Sequence, residues 1–380
     1  MRSLQAYRSI LWHAILNRLP ISVRRVIAAL AVLIEEPEPE ALPTKSRQLA
    51  LLHLQTTTWG WLPALALTGA LGVLSLAHAY TSARSGAAGA EFFFWAGLLL
   101  IFVPSSIRLL SPASSRFERI TLLCIMGIYF CLTPVLSSPF SFSSYDEFLH
   151  WRTADDILRT RHLFKTNTML VASPFYPGLE IVTNALSTLS GLNTFAAGHI
   201  VIGIVRLVMM LSLFMLYERI TESARIASIA TLIYMTNPHF LTFDAMFSYE
   251  SIALPLAMFA VFAIARHDKP TRENRWMVPV AWIALAAVAV THHMTDFVFD
   301  GLLVLWTLIY AWQHRRARGI VLRSKLVWTT CFGVVVTIIT VSLIGDPVTR
   351  YLSTYFSHAL DDLGHVLTGT GGARQLFAAT

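Results

Sequence analysis

Three polar stretches interrupt an otherwise apolar chain and hold most of the residues that could do chemistry. They are Ser144-Tyr145-Asp146-Glu147-Phe148-Leu149-His150-Trp151, Phe243-Asp244-Ala245-Met246-Phe247-Ser248-Tyr249-Glu250 and Thr291-His292-His293-Met294-Thr295-Asp296. Asp146 and Glu147 stand where an apolar run gives way to polar chain, a low-dielectric boundary at which a carboxylate can act as a general base or a metal ligand. The same pair also suits the first turn of a helix, where acidic side chains favour the helix dipole and Ser143 or Ser144 supplies a cap. A spacing of four puts Asp146 and His150 on one face of that helix, and Arg152, Asp156 and Arg159 on another. Pairing of Asp155 and Asp156 with Arg152 and Arg159 on a solvated face accounts for those four residues.

Other candidates follow further along the chain. Glu180 opens a helix after the turn Tyr176-Pro177-Gly178, where proline presets the helix start, and Tyr176 and Glu180 could line a substrate. Tyr249 and Glu250 precede an apolar run with no basic residue nearby, so Glu250 and Asp244 lack a local partner, although water could serve Asp244 in an open loop. His292 and His293 end one apolar run. Adjacent positions face different ways if a helix continues through them, and interfacial hydrogen bonding is their structural reading. Asp300 and Arg206 lie within apolar runs, where ionisable side chains mark functional sites; Asp300, Glu250 or a lipid phosphate would partner Arg206.

The elements that must position these residues follow from composition. Of 380 residues, 55% are apolar and 13% charged, against roughly 25% charged in an ordinary soluble domain, and the mean hydropathy is +0.59. Apolar windows fall at 59–80, 92–110, 119–136, 195–217, 224–237, 249–266, 276–291, 296–313 and 325–344. They predict an all-α polytopic membrane protein of about nine transmembrane helices, with amphipathic helices in a long loop over 137–194. The fifth window is short and ends at Asn237-Pro238, which predicts a broken or tilted span whose freed backbone lines protein or a wet cavity. Nucleic-acid binding is excluded as the primary reading of the +7 net charge, because Lys and Arg in such a protein mark cytoplasmic loops. Cys124, Cys131 and Cys331 all fall in apolar runs and offer neither a disulfide loop nor a zinc spacing.

With the N-terminus inside, 21 of the 29 Lys and Arg fall in inner segments, seven in outer segments, and Arg206 within a span. The positive-inside rule therefore puts all three polar stretches on the outer face, where they can share one site. Residues 1–58 read as a cytoplasmic interfacial helix and linker, 59–118 as two accessory spans, 119–344 as the main membrane module and 345–380 as a short outer segment. A bacterial or archaeal plasma membrane is the expected location.

A span followed by Tyr145-Asp146-Glu147-Phe148-Leu149-His150, surface helices, a Tyr176-Pro177-Gly178 turn into a helix, and further spans with polar outer loops resembles the C-type (GT-C) glycosyltransferase superfamily over about residues 119–344. The resemblance implies transfer of a sugar from a polyprenyl-phosphate donor to a lipid, glycan or protein acceptor at the outer face. It implies Asp146 as the base or acceptor-positioning acid with Glu147 as its acidic neighbour, and places His292 and His293 near the donor phosphate. His150, Arg152, Tyr176, Glu180, Tyr249 and Glu250 are the expected substrate contacts. A divalent cation, magnesium or manganese, would fall to Asp146, Glu147 and His292 if the reaction uses one. Arg152, Arg159 or His292 would stabilise the leaving phosphate. A single carboxylate base with in-line attack inverts the anomeric centre. The chain runs little beyond the ninth window, so a partner chain or a further C-terminal portion would complete the unit. A transporter or flippase for a lipid-linked or small polar substrate is the alternative, with Arg206, Glu250 and Asp300 as its intramembrane groups. A noncatalytic membrane scaffold would leave the outer acidic stretch unexplained beyond capping.

Overall fold

The computed structural model describes residues 59–267, 276–315, 321–322 and 324–345, with scattered residues between 353 and 368. The expected interfacial helix within 1–58 lies outside the described residues, as does most of the segment after 345. The described residues are all-helical, without a strand. In chain order the helices are α1 (Leu62–Ser85), α2 (Ala90–Leu110), α3 (Arg116–Ser137), α4 (Tyr145–Thr160), α5 (Gly178–Ser190), α6 (Thr194–Thr221) and α7 (Ala224–Met235). There follow the single turn α8 (Pro238–Leu241), then α9 (Tyr249–His267), α10 (Met277–Ala289), α11 (His293–Gln313) and α12 (Lys325–Ile344). Their ends carry ordinary signals. Pro63 lies in the first turn of α1, the Ser115 side chain accepts from Glu118 N at the start of α3, and Asn193 accepts from Ala196 N at the start of α6.

Every apolar window is a helix, but among the described residues seven helices are long and apolar enough to cross a membrane: α1, α2, α3, α6, α9, α11 and α12. Helices α7 and α10 have 12 and 13 residues, about 18–20 Å at 1.5 Å per residue and short of a hydrocarbon core of roughly 30 Å. The broken fifth segment is visible in detail. After α7 the chain passes through Asn237-Pro238, the turn α8 and a 3-10 turn over Phe243–Ala245. Arg206 donates to the Phe240 carbonyl oxygen. Since Arg206 is the thirteenth residue of α6, this non-helical stretch lies about 18 Å along that helix. Irregular backbone at such depth is tolerated only against protein or a polar cavity, and both are present here.

Polar ties sort the helix ends into two sides. The Arg84 guanidinium donates to the Leu136 and Ser137 carbonyls and so joins the ends of α1 and α3. At the other side Glu118, nearly fully buried, accepts from Arg108 at 2.8 and 2.7 Å and from the Trp61 amide at 2.9 Å. There Arg116 pairs with Glu218, and Arg225 reaches the Leu110 carbonyl. This is the alternation expected of successive crossings. Among the described residues one apolar core lies among α1, α2, α3, α6 and α7, a second among α9 to α12, and a third joins α3, α5, α6 and α9 through Cys131, Leu179, Ile202, Phe247 and Ile252. Outward-facing Leu67, Leu74, Ile107, Ile283, Val298 and Leu308 are exposed, the pattern of helices solvated by lipid.

Candidate active site

The three polar stretches meet at one end of the bundle. Helix α4 brings His150, whose Nδ1 lies 3.0 Å from Glu180 Oε1 on α5, and both side chains are buried. The His150 ring meets the Tyr249 ring edge-on at 4.2 Å, and Tyr249 stacks on His292 at 4.3 Å with 24° between the planes. His292 Nε2 lies 3.3 Å from Glu250 Oε1, and its Nδ1 lies 2.8 Å from the Thr295 hydroxyl. A neutral imidazole satisfies both contacts, accepting from Thr295 at Nδ1 and donating to Glu250 from Nε2. Burial, with His293 and His150 beside it, holds the His292 imidazole down at about 3, so it is uncharged around neutral pH.

The two histidines act together because the helix does not continue through them. Helix α10 ends at Ala289, Val290 and Thr291 turn, and His292 is extended with φ −155° before α11 begins at His293. The two rings are 5.2 Å apart, with His293 4.9 Å from the buried Tyr176 ring. Gly178 seats α5 against this turn: its amide donates to the Val290 carbonyl, and an added Cβ would lie 2.1 Å from Thr291 Oγ1 and 3.0 Å from the Thr291 Cα. Close approach of backbone to backbone thus sets Glu180 against His150 and Tyr176 against His293.

Asp146 and Glu147, neighbours in sequence, have different surroundings. Glu147 is buried, and its Oε2 accepts from the amides of Ser143 and Ser144 while Oε1 accepts from the Phe247 amide, 100 residues away. It forms half of a capping box and clamps the stretch before α9, so its oxygens are engaged with backbone. Asp146 is half-buried at the rim, and its charge acts on Glu250. Of the residues expected at a site, His150, Tyr176, Glu180, Tyr249, Glu250, His292 and His293 are brought together, with Asp146 beside them. Arg152 is exposed and pairs with Asp156, while Arg159 pairs with Asp155 and Asp156, so the solvated-face reading accounts for them. Among the described residues no three His, Cys, Asp or Glu side chains form a metal-ligand group. The expected trio of Asp146, Glu147 and His292 is not assembled, because Glu147 turns to the backbone.

Below this cluster a narrow cleft of about 10 Å³, room for about one water, is lined by Arg206, Tyr234, Asp244, Glu250 and Ser251, with Met209, Leu254 and Pro255 as its apolar wall. Glu250 therefore belongs to both spaces. Asp244 is not a water-exposed loop carboxylate: it accepts from the Tyr234 hydroxyl at 3.0 Å and lies 4.0 Å from the Arg206 guanidinium. Nor does Arg206 pair with Asp300; its guanidinium also lies over the Phe240 ring at 3.5 Å, and its buried Nε has no hydrogen-bond partner. Sequence reading missed Tyr234, Phe240 and Thr295. The break at Asn237-Pro238 was the signal available for the first two, since chain freed from a helix must find new polar partners. No protein-family model, curated protein or solved structure matches this chain.

Proposed function

We propose that this chain is a membrane glycosyltransferase of the GT-C kind, transferring a sugar from a polyprenyl-phosphate donor to a lipid, glycan or protein acceptor at the extracytoplasmic face of a plasma membrane. The observation that carries the reading is the meeting of carboxylate, imidazole and phenol groups from three separate stretches above a cleft that reaches a buried guanidinium at membrane depth. The lining supports a lipid-borne donor by its chemistry: the phosphate needs a cation, which Arg206 supplies, and the lipid chain needs apolar neighbours, which Met209, Leu254 and Pro255 supply. In this reading Asp146 takes the proton of the acceptor hydroxyl. The hydroxyl oxygen then bonds to the anomeric carbon, and the bond from that carbon to the phosphate oxygen breaks with its electron pair remaining on the phosphate. Glu250, His292 and the His150–Glu180 pair bind and orient the sugar, and Arg206 at the inner end offsets the charge of the leaving phosphate. Attack on the face opposite the phosphate inverts the centre.

The test is transfer of labelled sugar from a panel of polyprenyl-phosphate donors in membranes carrying wild-type protein or Asp146→Asn at matched expression. Loss of a general base lowers transfer by about 10²-fold or more; unchanged transfer removes Asp146 from the centre. The discontinuous segment beside Arg206 also suits a transporter. Movement of a lipid-linked substrate across liposomes by purified protein, without transfer from any donor, selects that second reading.

A further inference from the structure

Next to the cluster, between α11 and α12, the Thr337 hydroxyl lies 2.7 Å from Asp296 Oδ2 and 2.7 Å from Asp300 Oδ2. It also lies 3.1 Å from the Gly333 carbonyl oxygen. Both carboxyl side chains are more than nine-tenths buried, and no basic side chain of the described residues forms an ion pair with either. A hydroxyl carries one hydrogen and can donate to only one carboxylate. The second 2.7 Å contact is a hydrogen bond only when the other carboxyl donates to the hydroxyl oxygen, which requires a proton on that carboxyl. Two ionised carboxylates around one oxygen, without a compensating charge, are strongly disfavoured in an apolar helix interface.

We propose that Asp296 and Asp300 bind a single proton between them through the Thr337 hydroxyl, making a proton-binding site that fastens α12 to α11. Two further observations point the same way. Asp300 Oδ1 has no hydrogen-bond partner and faces α12 so closely that a Cβ added at Gly333 would lie 2.6 Å from it. The Tyr176 hydroxyl is buried without a hydrogen-bond partner, and burial together with the Asp296 charge pushes its phenol up, so it keeps its own proton. The titratable groups facing the pair are His292 and His293 at the start of α11, Tyr176 before α5, and Tyr249 and Glu250 of α9 through His292. Helix α10 contributes none, and on α12 Lys325 and Cys331 lie roughly 18 and 9 Å along the axis from Thr337. The remaining polar ties of α12 are neutral: Thr329 accepts from the Trp282 ring nitrogen, and Thr330 meets Thr307 at 2.7 Å. The bound proton is therefore the charge-controlling element of this helix contact.

The test is infrared difference spectroscopy of purified full-length protein in lipid nanodiscs, in light and heavy water, on wild type, Asp296→Asn and Asp300→Asn. The expected result is a carbonyl stretch of a protonated carboxylic acid at neutral pH, shifted by deuterium and lost in each variant. Above neutral pH the thermal stability of wild type should fall as the proton leaves, and that slope should flatten in Asp300→Asn, whose amide donates to Thr337 without a titrating proton. If an Asn variant does not fold, Thr337→Val replaces it, and the band should move when the bridging hydroxyl is removed. A wild-type spectrum without the band, or a band that none of the variants changes, overturns the proposal. Stabilisation by sodium chloride over choline chloride at equal pH and ionic strength also overturns it, in favour of a metal cation at the same oxygens.

Discussion

Glu147 is expected to hold the site together without reacting, and the consequence can be worked from its contacts. In Glu147→Ala the Phe247 amide, on a fully buried residue, loses its acceptor, at a cost of about 1–3 kcal/mol for an orphaned donor. Loss of the contacts to Ser143 and Ser144 adds about 0.5–2 kcal/mol, the usual worth of an N-terminal cap, because water can reach the exposed Ser143. The expected destabilisation is therefore about 1.5–5 kcal/mol, a large part of a typical total of roughly 5–15 kcal/mol. Glu147→Gln keeps one oxygen for the Ser143–Ser144 amides but turns an amide donor towards the Phe247 N–H, so about 1.5–3 kcal/mol is expected. Equilibrium unfolding in mixed micelles measures both values, and hydrogen exchange at the Phe247 amide localises them. The Phe247 ring stacks on Phe142 at 4.8 Å, and the next turn carries Tyr249, so activity should fall in parallel with stability. Wild-type stability and protection of Phe247 in both variants, with activity abolished, would refute the structural role and return Glu147 to the chemistry.

Further perturbations separate the other parts. Gly178→Ala drives a methyl group into Thr291 and should cost about 1–3 kcal/mol, read as a lower unfolding midpoint together with weaker activity. Glu180→Ala removes the buried partner 3.0 Å from His150 Nδ1 and should lower activity about tenfold to a hundredfold, whereas Glu180→Gln, whose amide can still hydrogen-bond to that nitrogen, should recover part of it. Because His292 is held at about 3 against an ordinary value near 6.5, the unfolded chain takes up a proton before the folded one does. Stability is thus lost as pH falls from about 6.5 towards about 3, and His292→Gln should show a smaller drop in thermal midpoint between about pH 7.5 and about pH 5. Arg206→Met leaves Asp244 without its cation and should destabilise by about 3–5 kcal/mol. If Arg206 serves a phosphate, Arg206→Lys should fold and yet bind the donor more weakly in a competition assay.

Much of the frame was legible before any tertiary contact was known. The nine apolar windows all became helices because helix formation and amphipathic or all-apolar patterning depend on residues within about four positions of each other. Asn237-Pro238 announced the break after α7 for the same local reason. The seventh window was less legible: nothing in 276–291 marked the turn at Val290 and Thr291 that ends α10 early, since that turn is fastened from outside by Gly178. The convergence of the three polar stretches was compatible with the outer face to which the charge count assigned all three, but a shared face alone left it one arrangement among several.

Sequence alone thus determined the class, the helices and the set of chemically capable residues, all properties of short-range periodicity and composition. Only the tertiary structure decided what each of those residues does. Asp146 and Glu147 are indistinguishable by type and position, yet one reaches the rim of a cluster and the other is taken up by an amide 100 residues away. Arg206 and Asp244, 38 positions apart, find each other only because a broken segment carries the acid back to membrane depth. The physical reason is that a buried polar group must be satisfied by whatever donor or acceptor folding brings to it, and that partner is set by packing across the bundle.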